Sequence, residues 1–253
     1  MVDTHCHLDS CRAPLTELLD RARAAGVDRL ATVGTDSESA ERALAAAREH
    51  PQVRAIVGVH PNYASGFEAG TVREHDERLD SHARAPEVCA VGETGLDYYR
   101  DHAPREHQRR SFEAHIELAR ELGLPLVIHT RAAEEDTFDM LRERAEGLTV
   151  VLHCFSAPGR LDEAVERGYM CSFAGNVTYP SAADLQDAAE RVPGELLLVE
   201  TDSPYLSPQP VRKQANEPAN VTLTARFLAE RRGVPYEELE ALVERNAARV
   251  FGW

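Results

Sequence analysis

In this 253-residue chain six residues of kinds that hold divalent cations fall at or near the ends of short apolar runs. His5 and His7 lie in the run Val2–Leu8, Glu93 in Val88–Thr94, His129 in Leu124–Thr130, His153 in Thr149–Cys154 and Asp202 in Leu196–Asp202. If the runs are strands, alternation puts His5 and His7 on one side with Asp3, and Glu200 on the side of Asp202. Four imidazoles with two carboxylates form the ligand set of a divalent metal, and more readily of two. Singly, each residue is a weak signal. A His-x-His on a strand is commonly incidental, and Asp202, in Glu200-Thr201-Asp202-Ser203-Pro204, could do no more than cap a turn. Together, at the ends of five runs, they point to a metal-dependent site.

Such residues need a scaffold that brings them together. Three further runs, Arg29–Gly34, Val53–His60 and Tyr169–Gly175, bring the number of candidate strands to eight. Helical periodicity fills the stretches between them: Pro14–Ala25, Ser37–Glu49, Val72–Ala83, Pro104–Leu122, Ala133–Ala145, Pro158–Arg167 and Ala182–Arg191. Helix formers return at Ala219–Arg232 and Tyr236–Val250. Gly26, Gly123 and Gly147 stand where helices should stop, a few residues ahead of the next strand. Eight strand–helix units predict an α/β fold, a parallel sheet closed into a (β/α)8 TIM barrel rather than an open doubly wound sheet. A barrel of this kind commonly uses roughly 250 residues as one domain. No Pro/Gly/Ser-rich linker interrupts residues 1–253, which read as a single hydrolase domain. The C-terminal ends of barrel strands converge, so the six residues are expected on one rim. No Gly-rich phosphate cradle of the Walker or Rossmann type is present.

Composition narrows the functional classes. Hydrophobic residues at 43% exclude a disordered chain, and no stretch approaches the ~20 apolar residues of a membrane span. Met1-Val2-Asp3 is followed by neither a basic nor an apolar leader region, so no secretory signal is expected. Five cysteines without a Cys-x-x-Cys pair argue for a reducing, cytoplasmic setting. Lys213 is the only lysine among 28 basic residues, which face 43 acidic ones for a net charge of -15. That charge disfavours broad coating of nucleic acid, but it permits a phosphate in a local pocket that holds cations.

Seven blocks then appear in order: Asp3-Thr4-His5-Cys6-His7-Leu8-Asp9, Gly58-Val59-His60-Pro61, Gly92-Glu93-Thr94-Gly95-Leu96-Asp97-Tyr98-Tyr99, Pro125-Leu126-Val127-Ile128-His129-Thr130-Arg131, His153-Cys154-Phe155-Ser156, Glu200-Thr201-Asp202-Ser203-Pro204-Tyr205-Leu206 and the terminal Asn246 to Gly252. In these blocks the chain resembles the TatD-type metal-dependent deoxyribonucleases of the amidohydrolase-like barrels. The resemblance implies that His5, His7 and Asp202 hold one ion and His129 and His153 another, with Glu93 bridging. The two divalent ions would be Zn, Mn or Mg. Related barrels often bridge with a carboxylated lysine, but Lys213 lies past the eighth run, which suits Glu93 in that place. Asp202 would accept a proton from the attacking water. Asp3 and Glu200 would orient imidazole N–H groups, or else be core carboxylates satisfied by the backbone.

His60, Arg131 and Tyr98 are candidate substrate contacts: His60 for a phosphate or water, Arg131 for a phosphate, and Tyr98, with Tyr99 and Arg100, for a base or phosphate. Each also has a plain structural alternative, His60 as a His-Pro turn and the tyrosines as loop packing. His102, His107 and His115 read as a solvated face. Cys6, Cys89, Cys154 and Cys171 read as small strand residues, and Cys11 as a loop residue. Two blocks depart from the family pattern. Ala157 stands where a glycine is usual, and Arg212-Lys213-Gln214-Ala215-Asn216-Glu217-Pro218 lacks a glycine and a basic residue. The expected activity is phosphodiester hydrolysis, with nucleic acid as the substrate, most simply single-stranded DNA ends, and no membrane partner. Hydrolysis of amide, lactone or ester bonds, acyl-tRNA deacylation included, stays open, as does a barrel that binds metal or a partner without turnover.

Overall fold

A parallel sheet covered on both faces needs strands that are apolar throughout rather than alternating, and the apolar runs meet that need. The computed structural model describes residues 1–68 and 70–253. Among these, the strands are β1 (Val2–Cys6), β2 (Arg29–Gly34), β3 (Val53–Val57), β4 (Val88–Asp97), β5 (Leu126–Arg131), β6 (Val150–Leu152), β7 (Met170–Phe173) and β8 (Leu197–Val199). The helices are α1 (Leu15–Ala24), α2 (Ser37–Glu49), α3 (Val72–His75), α4 (Glu77–Ala83), α5 (Arg105–Leu122), α6 (Glu134–Arg144), α7 (Leu161–Glu166), α8 (Ala183–Arg191), α9 (Val221–Arg232) and α10 (Tyr236–Phe251). The strands stand in chain order in one eight-stranded sheet. First and last strands are neighbours: Thr4 donates its hydroxyl to the Val199 carbonyl at 2.8 Å, and Asp202 its N–H to the His5 carbonyl at 2.9 Å. The fold is the (β/α)8 barrel that the alternation of elements predicts. No helix among the described residues is long and apolar enough to cross a membrane.

Two compact units divide the chain, Met1–Thr32 with His153–Trp253, and Val33–Leu152. In the first, β1 pairs in parallel with β2, and β7 with β8. Helix α10 buries Leu239, Val243, Asn246 and Ala247 at helical spacing. The Asn246 amide donates to the carbonyls of Gly194 and Leu197 at 2.7 and 2.8 Å, which fastens the helix to the start of β8.

In the second unit β3, β4, β5 and β6 pair in parallel. Helix α2 begins where Asp36 accepts the Ser39 N–H at 2.7 Å and buries Ala40, Ala43, Leu44 and Ala47. Strand β4 runs on past the predicted end at Thr94 to Asp97. Gly95 makes the extension possible, since it has φ +129 and a Cβ there would strike the His129 carbonyl oxygen on the paired strand. The predicted helix 72–83 is broken into α3 and α4 at Asp76, whose backbone is extended (φ -151) and whose carboxylate caps the second helix by accepting the Leu79 N–H at 3.0 Å.

Candidate metal centre

The first unit gathers four of the six candidate ligands. β1 delivers His5 and, just past its end, His7; β6 and β8 are shorter than their apolar runs, so His153 and Asp202 sit on the turns that follow them. The rings of His5 and His153 stack with centroids 3.7 Å apart at 17°. His7 meets His5 edge-on, centroids 5.2 Å apart. Asp202 Oδ1 lies 3.4 Å from His7 Nε2 and 4.0 Å from His5 Nε2. His5, His153 and Asp202 each offer an atom within 4.8 Å of the others. Burial pushes the Asp202 carboxyl up, but the His7 contact and the charges of His153, His7 and His5 outweigh it and hold the group below the ordinary carboxylate range. Two stacked imidazoles beside a carboxylate are donors of the kinds that a divalent cation takes.

The neighbouring acids differ in what they hold. Glu200 Oε1 lies 2.7 Å from His153 Nδ1 and accepts the Cys154 N–H at 2.9 Å, so it orients the imidazole. Asp3 instead takes the Thr201 N–H at 2.8 Å and the Thr201 hydroxyl at 2.6 Å, and anchors the turn that carries Asp202 rather than an imidazole. Burial drives the Asp3 carboxyl up to about 8 against those hydrogen bonds.

In the second unit Glu93, 2% exposed, is the centre of a smaller group. Its Oε1 is 2.7 Å from His129 Nδ1 and 3.5 Å from His60 Nε2, and the rings of His60 and His129 stand 4.5 Å apart. His60, Glu93 and His129 are again mutually close enough to share an ion. His153 stands beside His5 and Asp202, and His60, a candidate substrate contact, stands among ligand-type residues.

The family model described as TatD related DNase matches residues 2–252. The chain belongs to that family. It is 42% identical to a Mycobacterium tuberculosis protein named as an uncharacterized metal-dependent hydrolase TatD, over 100% of this chain and 98% of the relative. It is 34% identical to the 3'-5' ssDNA/RNA exonuclease TatD of Escherichia fergusonii, over 93% of this chain and 92% of that protein. The crystal structure of YjjV, a TatD homologue of Escherichia coli, superposes with a TM-score of 0.87 at 28% identity, covering 100% of this chain and 98% of the other. As a TatD-family protein the chain is a metal-dependent hydrolase acting on ester bonds.

Three residues that brace the candidate ligands or the backbone beside them were not among the candidates read from the sequence. Asp97, at the end of β4, lies with Oδ2 3.4 Å from His129 Nε2 while Oδ1 accepts the N–H groups of Tyr99 and Arg100 at 3.0 and 2.8 Å. Burial raises its carboxyl, but His129 and these two amides hold it well below the carboxylate range. Its place in the Gly-Leu-Asp block was the available signal. Asn216 donates to the carbonyls of Thr201 and Tyr205 at 2.9 and 2.5 Å, and so clamps both ends of the turn holding Asp202 in its left-handed conformation, φ 53. The departures in the 212–218 loop leave this clamp in place.

His115 is the third, and it corrects an expectation. Instead of facing solvent, it is 0% exposed, on the inner face of α5. Its Nε2 accepts the Val59 N–H at 3.0 Å and its Nδ1 donates to the Ser111 carbonyl at 2.7 Å, which fixes the backbone immediately before His60. His107 is half-buried, its Nδ1 accepting the Gly66 N–H at 3.0 Å, and only His102 of the three is exposed. Cys154 also departs from expectation: it follows β6 on a turn, half-buried, at φ 41.

Burial lowers the His115 imidazole from 6.5 to about 4, so it stays neutral in the folded chain where the unfolded chain would be protonated. Its contribution is therefore complete above pH 6.5 and is lost as pH falls toward 4. The loss amounts to about 3 kcal/mol at ~1.4 kcal/mol per pH unit. Urea midpoints of the wild type and His115→Gln are expected to differ in their slope between pH 6.5 and 4. Parallel profiles would show that His115 does not stay neutral on folding.

Proposed function

We propose that this hydrolase cleaves phosphodiester bonds of single-stranded nucleic acid from an end, with one divalent ion on each of the two ligand groups, in one catalytic domain. The observation that carries the reading is the concentration of imidazoles around Asp202 and around Glu93, each with a carboxylate fixing a histidine ring. The exonuclease name of the Escherichia fergusonii relative supports nucleic acid as the substrate class. Divalent ions, when bound, supply charge that acidifies an attacking water and offsets charge on phosphate oxygens. Asp202, ionised and aimed at His5 and His7, would take the proton that the water loses. Glu200 and Asp97 keep His153 and His129 in place, so the ligand geometry does not have to be assembled during turnover. A net charge of -15 repels long duplexes over most of the surface, which favours a flexible strand end. No disulfide joins the five cysteines, in keeping with a reducing, cytoplasmic setting.

The test compares end-labelled linear single strands with a closed circular single strand of the same composition, at matched divalent metal. Cleavage of the linear strand to mononucleotides or short products, with the circle intact, is the expected result. Equal cleavage of the circle rejects the end-directed reading. Inactivity on both, with turnover of an ester or lactone, moves the activity to that bond class.

A further inference from the structure

Among the described residues the large apolar side chains left exposed are three tyrosines: Tyr63 at 58%, Tyr99 at 64% and Tyr205 at 58%. None stands on a remote surface. The Tyr63 ring is 6.1 Å from that of His60, and the Tyr205 ring 6.0 Å from that of His7. Tyr99 follows Asp97 by two residues and is tied to it through its own N–H. Aromatic rings exposed beside a ligand group offer a face to a substrate base.

We propose that Tyr99 and Arg131 together form a nucleotide-binding platform, on which the terminal nucleobase of the substrate stacks against the Tyr99 ring while an adjoining phosphate meets the guanidinium edge of Arg131. The proposal rests on the phosphodiester reading and names the residues that would grip its substrate.

The geometry of the pair carries the argument. The Arg131 guanidinium carbon lies 4.1 Å from the centroid of the Tyr99 ring. The Arg100 guanidinium carbon is farther off, 5.9 Å from the same centroid, and a guanidinium over a ring still has N–H donors at its edge for an anion. Among the described residues Arg131 has no carboxylate partner, although acidic residues abound and other arginines are claimed: Arg84 by Asp80 and Glu121, Arg109 by Asp136, Arg21 by Glu217. Backbone bonds set the height of the platform. Asp97 and Arg131 are partners across β4 and β5, and the Tyr98 N–H donates to the Arg131 carbonyl at 2.9 Å. Asp97 binds the Tyr99 amide with one oxygen and approaches His129 with the other, so Arg131 lies two residues past His129 and Tyr99 two residues past the carboxylate beside it.

Tyr98, the other candidate for stacking, is committed elsewhere. Its hydroxyl donates to Asp136 at 2.6 Å, and the Arg105 guanidinium covers its ring at 4.0 Å. A ring and a guanidinium grip any base through its π-face and any phosphate through its charge. The platform thus takes a nucleotide of either sugar type with little base preference.

The experiment uses the full-length, metal-loaded protein and a short labelled single strand, prepared with a normal terminal nucleotide or with an abasic one at the end attacked. For the wild type the abasic end should raise KM by about tenfold, the scale of one lost base–aromatic stack. Tyr99→Ala should raise KM on the normal strand by a similar factor, more than it lowers kcat, and should no longer distinguish the two strands. Tyr99→Phe, which keeps the ring, should recover most of the loss. Arg131→Lys, which keeps the charge without the stack, should not. Metal content and the thermal midpoint of each variant confirm that only the surface has changed. If strands are cleaved but the abasic end and Tyr99→Ala leave KM where it was, the platform is wrong and the nuclease reading stands. If the wild type cleaves neither strand, both fall together.

Discussion

Asp202→Asn is expected to lower kcat by about a hundredfold or more, because it removes the proposed proton acceptor while keeping an oxygen where the carboxylate stood. The exchange is conservative in structure. Asp202 is held by backbone bonds, its N–H to the His5 carbonyl at 2.9 Å and its carbonyl from the Tyr205 N–H at 2.9 Å, and neither uses the side chain. Asparagine also tolerates the left-handed backbone at φ 53. The fold should therefore survive, and bound metal should fall only in part. Turnover on the single-stranded substrate and the metal-to-protein ratio, measured on one preparation, separate loss of chemistry from loss of metal. Near-normal turnover in this variant would show that another group takes the proton.

Removal of metal should have the larger effect. Chelation is expected to reduce turnover about a thousandfold or to background, with recovery on adding Zn, Mn or Mg, since the chain's own residues supply no comparable charge at the reacting phosphate. Imidazole-rich groups are softer than all-oxygen sites, so elemental analysis of protein purified without added metal should find Zn or Mn. His129→Ala should lower the metal content by about one ion per chain and leave the group at His5, His153 and Asp202 loaded; His5→Ala should do the converse. Metal also stabilises the native state by mass action, about 2.7 kcal/mol at a hundredfold excess over Kd. Chelation should accordingly lower the thermal midpoint of the wild type and have a smaller effect in either alanine variant. Full turnover by metal-free protein would overturn the two-group scheme.

Much of the scaffold was legible along the chain because its signals are local. Strand β2 and helix α2 have the bounds read from their runs, Arg29–Gly34 and Ser37–Glu49. For the helix the reason is a cap at Asp36 and a small-residue face at helical spacing, both contained within a few residues. The eight-unit alternation and the blocks around His5, Glu93, His129, His153 and Asp202 led to the barrel and to the family for a similar reason: each block is contiguous. Where a strand ends was less legible, since that depends on the neighbouring strand. Gly95 carries β4 on beside His129, and β8 stops at Val199 so that Asp202 can turn toward His5.

What one-dimensional pattern could not decide is which side chains meet. Periodicity places His115 on a helix, but only packing against Val59 makes it a buried, neutral support rather than a surface residue. Nothing near His153 in sequence says that its ring stacks on His5, 148 positions away, or that His60 shares Glu93 with His129. Asn216 and Asp97 carry no metal-ligand signature at all, because their work is to hold other residues through hydrogen bonds closed by the chain's return. Tyr98 and Tyr99 are adjacent and chemically identical in sequence; the tertiary fold turns one onto Asp136 and leaves the other in solvent under Arg131. Local propensity and motif determined the kinds of residue available to this protein. Long-range contacts, which no short window contains, decided their partners, their burial and their charge.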